Sequence, residues 1–160
     1  MEKELSRRSF LKMGTTAAAA MAVSPSLLMG KEKKDKKAAP LPMDRKLKIL
    51  AVGIGGRGAS VLKGLETEEI IGLCDVDWKY AAHIFERYPN AKRYNDYRVM
   101  FKELLDEADA VMVATADHTH AIIAAEAIAA GKHVYVEKPL THTVYESRLL
   151  TKLAAKHKVA

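Results

Sequence analysis

Residues 47–58 constrain this chain more than any others: Leu-Lys-Ile-Leu-Ala-Val-Gly-Ile-Gly-Gly-Arg-Gly. Leu47 to Val52 form a mostly apolar run that reads as a short buried strand. Gly53, Gly55 and Gly58 follow in the spacing G-x-G-x-x-G, and Ala59-Ser60-Val61-Leu62-Lys63 reads as the start of a helix. The first glycine permits a tight turn and the second lets the backbone approach a pyrophosphate. The third lets helix and strand pack closely, with phosphate at the helix N-terminus. Ile70 to Asp75 reads as a second strand ending in an acid, 22 residues past Gly53. That is near the distance at which a carboxylate binds the adenosine ribose of a dinucleotide. A strand, a glycine turn, a helix and then an acid at this distance predict a dinucleotide site.

The other strands and helices alternate. Asp77 is expected to cap a helix from about Trp78 to Tyr88, stopped by Pro89-Asn90. Lys92–Tyr94 reads as a short third strand. Asn95 or Asp96 caps a helix to about Leu105 with Val99, Met100, Leu104 and Leu105 on its apolar face. Ala110–Ala114 reads as a fourth strand, His120–Ala130 as an alanine-rich helix ended by Gly131, and His133–Val136 as a fifth strand. Thr143-Val-Tyr-Glu146 has the form of a capping box opening a helix to about Lys156. The fold class is therefore α/β, a Rossmann-type doubly wound parallel sheet with helices on both faces. Ligands of such sheets bind outside the carboxyl ends of the strands. Here those ends carry Gly53–Gly58, Asp75, Thr115–His120 and Glu137-Lys138-Pro139.

Charge separates this part from what precedes it. The chain of 160 residues carries a net charge of +6, all of it in residues 1–46; residues 47–160 hold 15 basic and 15 acidic side chains. The folded part is neutral and has no electrostatic footprint for nucleic acid. Ser6-Arg7-Arg8-Ser9-Phe10-Leu11-Lys12 reads as a twin-arginine export signal, followed by a mildly apolar stretch from Met13 to Val23 that is too short for a stable membrane span. Ala20-Met21-Ala22 offers a cleavage site after Ala22, and no cysteine follows to take a lipid anchor. The expected organisation is a signal region at 1–29, a charged, proline-ended disordered linker at 30–45 and a dinucleotide-binding domain at 46–160. The lone cysteine, Cys74, excludes an intramolecular disulfide and reads as a buried inert thiol.

Several blocks together resemble the glucose–fructose oxidoreductase / inositol dehydrogenase / MocA family. They are Gly53–Gly58, Cys74-Asp75-Val76-Asp77, Asp117-His118-Thr119-His120-Ala121 and above all Gly131-Lys-His-Val-Tyr-Val-Glu-Lys-Pro-Leu140. The resemblance covers about residues 46–160. It implies that Gly56 and Arg57 border the pyrophosphate, that Asp75 takes the adenosine ribose and that Thr115 to His120 line the cofactor cleft. It also implies that Glu137 contacts the ribose near the nicotinamide and that Lys138 lies by the nicotinamide and the reacting hydroxyl, the one catalytic residue expected here. Family members continue into a C-terminal α+β substrate domain, so this chain is expected to be an N-terminal portion whose substrate pocket is missing. At full length a homo-oligomer is expected.

The cofactor expected is NAD: a carboxylate at 75 accepts ribose hydroxyls and repels the 2′-phosphate of NADP. No metal is expected, since His118 and His120, two residues apart, do not share a helix face. His83, His133, His142 and His157 read as surface or strand-edge residues, and for Trp78 and Tyr80 two readings stand equally, one of the pair flanking the adenine or both packing their helix. Three functions fit. The first is a periplasmic NAD-dependent oxidoreductase with tightly held cofactor, acting on a sugar or cyclitol hydroxyl. The second is a glycoside-cleaving enzyme of the same superfamily that oxidises its substrate transiently. Export favours that mode, whereas the intact Glu-Lys-Pro favours the first. The third, for this portion alone, is a non-catalytic dinucleotide-binding module.

Overall fold

The structure is a computed structural model and describes residues 44–160. The expected export signal and nearly all of the linker lie outside the described residues. The elements are β1 (Lys48–Val52), α1 (Arg57–Lys63), β2 (Glu69–Cys74), α2 (Ala82–Arg87), β3 (Lys92–Tyr94), α3 (Tyr97–Leu104), β4 (Ala110–Val113), α4 (Asp117–Ala129), β5 (His133–Val136) and α5 (Val144–His157). The five strands form one parallel sheet in the order β3-β2-β1-β4-β5. The order reverses between β1 and β4, which is where a doubly wound sheet opens a crevice.

Strand alternation builds two cores. Leu50, Val52, Val111 and Val113 face one way and pack with Met100, Phe101, Leu104 and Ile123 of α3 and α4. Ile49, Ala51, Leu73 and Met112 face the other and pack with Leu62, Ile84 and Phe85 of α1 and α2. Both faces are covered, so apolar residues run continuously along β1 and β4 rather than alternating with polar ones. Burial first, then the neighbouring charges of Asp75 and Asp96, pushes the Cys74 thiol up to about 12, in agreement with an inert side chain.

Several boundaries differ from the sequence reading. Helix α1 begins at Arg57, not Ala59, and α4 at Asp117, not His120. The segment expected to be helical from Trp78 forms a turn first: Asp77 Oδ1 accepts the Tyr80 N–H at 2.9 Å, and α2 spans only Ala82–Arg87. On α3 the buried face carries Phe101, while Val99 is 46% exposed. His157 is buried, contrary to a surface assignment. The capping box forms as expected: Thr143 Oγ1 accepts the Glu146 N–H and Glu146 Oε2 accepts the Thr143 N–H. Such a cap is worth about 1 kcal/mol. Among the described residues no helix is long and apolar enough to cross a membrane.

Candidate functional site

A cleft of ≈ 800 Å³ opens at the carboxyl ends of β1, β2 and β4. Its walls come from Gly53, Gly55, Gly56 and Arg57, from Asp75 and Tyr80 after β2, from residues 95–98 after β3 and from Thr115, Ala116 and Thr119 after β4. The glycines each answer a different demand. Gly53 has φ +78°, which L side chains rarely adopt, and any Cβ there would lie 2.6 Å from the Ala114 carbonyl. A Cβ at Gly58 would lie 1.8 Å from Gly53 O, so strand end and helix start touch through backbone. Gly56 is the N-cap of α1, has no side-chain cap and faces the cleft.

Asp75 ties the first signal to the second. Its Oδ2 accepts the N–H groups of Ile54 and Gly55, each at 2.9 Å, and its Oδ1 accepts the Asp77 N–H at 3.0 Å. A carboxylate offers about four acceptor positions. Three hold the protein's own turns, and one on Oδ1 remains open to a further donor. The aromatic pair after Asp75 divides. Trp78 turns to the helix, with its ring 5.5 Å from Phe85 and its Nε1 donating to Tyr94 O at 3.3 Å. Tyr80 turns to the cleft and lies against the glycine turn, so that a Cβ on Gly55 would meet its Cδ1 at 2.4 Å.

At the rim, Asp96 caps α3. Its carboxylate accepts the Arg98 N–H and forks onto the Arg98 guanidinium at 2.7 to 3.2 Å. The side-chain bond to Arg98, followed by the Arg98 backbone N–H, holds this carboxyl at about 2, below its ordinary 3.8. A depressed acid stabilises above its ordinary value and ceases to as pH falls through the folded one. The substitution Asp96→Asn keeps a good cap and removes the charge. Wild type should therefore melt higher than Asp96→Asn at neutral pH, the difference closing between about pH 4 and pH 2. Thermal melts across that range check it, and a difference that stays constant would contradict the assignment.

On the other side of β4, Glu137 is 5% exposed. Its Oε1 accepts from Arg57 Nε at 3.0 Å and from the Tyr135 hydroxyl at 3.2 Å, and its Oε2 accepts the Lys138 N–H at 3.2 Å. Burial pushes this carboxyl up, but the Lys138 amide, Arg57 and Tyr135 outweigh burial and hold it below its ordinary value. The Arg57–Glu137 pair joins the glycine turn to the Glu-Lys-Pro segment 80 residues later. Tyr135, read from the sequence only as part of the fifth strand, is an added partner of Glu137, and the signal for it is that residues two apart along an extended strand share a face. The Lys138 side chain is exposed.

Thr115 lines the cleft and its Oγ1 lies 2.7 Å from that of Thr119. His120, expected in the cofactor cleft, is instead 1% exposed and lies between Thr115 O and Pro139 O. His118 is exposed, and no cluster of three or more metal-ligating side chains exists among the described residues.

Fold and site together define a dinucleotide-binding domain of the Rossmann class. Residues 47–160 match the family described as "Oxidoreductase family, NAD-binding Rossmann fold", the glucose–fructose oxidoreductase / inositol dehydrogenase / MocA group, and the chain belongs to it. Residues 4–24 match the twin-arginine translocation signal. A glycosyl hydrolase family 109 protein of Shewanella pealeana is 31% identical over 89% of this chain and 35% of its own length. Inositol 2-dehydrogenase of Salmonella paratyphi B is 32% identical over 61% of this chain and 30% of its own. Among solved structures, the WlbA dehydrogenase of Chromobacterium violaceum, in complex with NADH and UDP-GlcNAcA, superposes with a TM-score of 0.62 at 26% identity. That match covers 76% of this chain and 36% of the WlbA chain. The chain thus spans about a third of the length of the relatives it matches.

Proposed function

We propose that this chain is the NAD-holding portion of an exported, periplasmic oxidoreductase that acts on a hydroxyl of a sugar or cyclitol. The observation that supports this is the cleft at the strand-order reversal, lined by Asp75 and Arg57, with Arg57 bonded in turn to Glu137 beside Lys138. On this reading Asp75 takes the adenosine side and Glu137-Lys138 the nicotinamide side. The residues present fit the cofactor. Gly56, exposed at the N-cap of α1, bares the backbone where a pyrophosphate would lie, and one acceptor position of Asp75 is left for the ribose. When bound, NAD supplies the hydride acceptor and donor.

The chain's own groups do the rest. Glu137 fixes the Lys138 amide, and the Lys138 ammonium donates a hydrogen bond to the substrate hydroxyl and stabilises negative charge growing on that oxygen. Asp75 sets NAD over NADP by repelling a 2′-phosphate. Export through the twin-arginine machinery leaves a cofactor without an obvious pool to exchange with, which supports retained NAD cycling within one turnover. The likeness to the family 109 glycosyl hydrolase supports a second reading, glycoside cleavage by transient oxidation.

The test is made on the complete protein purified from the exported fraction. Denaturation should release about one NAD or NADH per chain. Recovery of NADP alone overturns the cofactor assignment, and rapid loss on dialysis with activity restored by added NAD overturns retention. Product analysis separates the readings: one substrate oxidised and a second, carbonyl-bearing substrate reduced to return the cofactor to NAD marks the dehydrogenase, and a released aglycone without net redox change marks the glycosidase. Lys138→Ala should lower turnover at least a hundredfold. Unchanged turnover would remove Lys138 from the reaction.

A further inference from the structure

We infer that His120 is a positioning residue: its buried ring ties the turn after β4 to the turn after β5 and so sets where Lys138 sits. The inference rests on the reading of Lys138 given above. His120 is the fourth residue of α4, and its ring is 1% exposed beneath the cleft. Nδ1 lies 2.8 Å from the carbonyl oxygen of Pro139, and Nε2 lies 3.0 Å from that of Thr115. A carbonyl oxygen only accepts, so a ring nitrogen bonded to it carries its proton. The doubly protonated ring makes both bonds at once, and each neutral tautomer makes one.

The geometry brackets one residue. The Lys138 N–H is held by Glu137 Oε2, and the carbonyl of the next residue is held by His120. Backbone on both sides of Lys138 is thereby fixed by buried side chains, while the lysine itself projects from an exposed position. The second nitrogen reaches Thr115, whose side chain lines the cleft. One ring therefore sets the spacing between a wall of the cofactor cleft and the segment bearing the lysine. An apolar side chain would fill the same volume and tie neither turn.

The experiment compares NAD with ADP by calorimetric titration of the chain. ADP carries the adenosine and pyrophosphate but lacks the nicotinamide riboside, so the ratio of the two affinities reports on the nicotinamide side alone. His120→Phe should leave ADP affinity unchanged and lower the NAD-to-ADP ratio about three- to tenfold. Asparagine places its amide near the position of Nδ1, so His120→Asn keeps the Pro139 bond and should restore most of the ratio. Glutamine places its amide near Nε2, so His120→Gln reaches only Thr115 and should not.

Equal loss of NAD and ADP affinity in the phenylalanine variant, or an unchanged ratio, overturns the inference. Should that variant not fold, the asparagine and glutamine variants carry the same comparison, and equal ratios in the two overturn it. Lys138→Ala separates the two levels. A lowered ratio there with an unchanged one in His120→Gln rejects His120 alone, whereas an unchanged ratio in Lys138→Ala rejects the placement of Lys138 and the inference with it.

Discussion

Replacing Asp75 with alanine should weaken NAD binding about a hundredfold or more, with ADP falling in parallel. With Asp75 as the proposed ribose acceptor, the adenosine ribose would lose a bond to a charged group, worth about 1.5–3 kcal/mol, or roughly ten- to hundredfold in affinity. The site also loses its shape, because the same carboxylate holds the N–H groups of Ile54 and Gly55 at 2.9 Å each. Both residues are buried, so their amides have no water to turn to once the acceptor is gone. Each unsatisfied buried donor costs about 1–3 kcal/mol, which should appear as a lower melting temperature in the absence of any ligand. Asp75→Asn should fall between. Its carbonyl oxygen can still accept from Ile54 and Gly55, but its NH2 then faces the Asp77 N–H, two donors with no acceptor. Titration with NAD and ADP, with circular dichroism to follow folding, checks the series. A loss under threefold in the alanine variant would show that the acid serves only the turn.

That double duty bears on what the sequence made legible. The glycine spacing and the acid after β2 were readable because each answers a backbone demand that only one residue type meets at that place. The strands β3 and β5 and the capping box of α5 were readable for the same reason: their signals lie within a few residues of one another. Where the determinant was distant, the reading stopped short. Asp77 has the look of a helix cap, yet it caps a single turn, because Trp78 reaches back to the carbonyl of Tyr94 and lies on Phe85. Helical period alone did not choose between Val99 and Phe101, since each flanks Met100; packing against the sheet chose Phe101. His120 and Glu137 were marked as site residues. Their partners Pro139, Thr115 and Arg57 are set by the meeting of strand ends, and no local pattern announces that His120 is buried or that Arg57 reaches Glu137.

Gly58→Ala should destabilise the domain by roughly 3 kcal/mol or more and lower its melting temperature by on the order of 10 °C or more. A methyl group at this position would stand 1.8 Å from Gly53 O and 2.9 Å from Gly53 C, atoms of the backbone rather than the mobile end of a side chain. Relief requires α1 to move off the end of β1. Yet α1 is anchored by Leu62 in the core, and Gly53 is itself held by the Cys74 carbonyl and pressed against Ala114. Neither side can yield without breaking the other contact, so the strain spreads through the turn that carries Gly55, Gly56 and Arg57. Against a total stability of about 5–15 kcal/mol, such a loss populates the unfolded chain measurably. Gly56→Ala is the informative contrast, because there the nearest atom is the Tyr80 hydroxyl at 3.3 Å, the free end of a side chain 62% exposed. That variant should fold and melt within a few degrees of wild type, although its methyl group intrudes on the cleft. Urea and thermal unfolding of the two variants side by side make the comparison. If both melt near wild type, helix and strand are less closely docked than the backbone contact at Gly58 requires, and the third glycine serves the ligand rather than the fold.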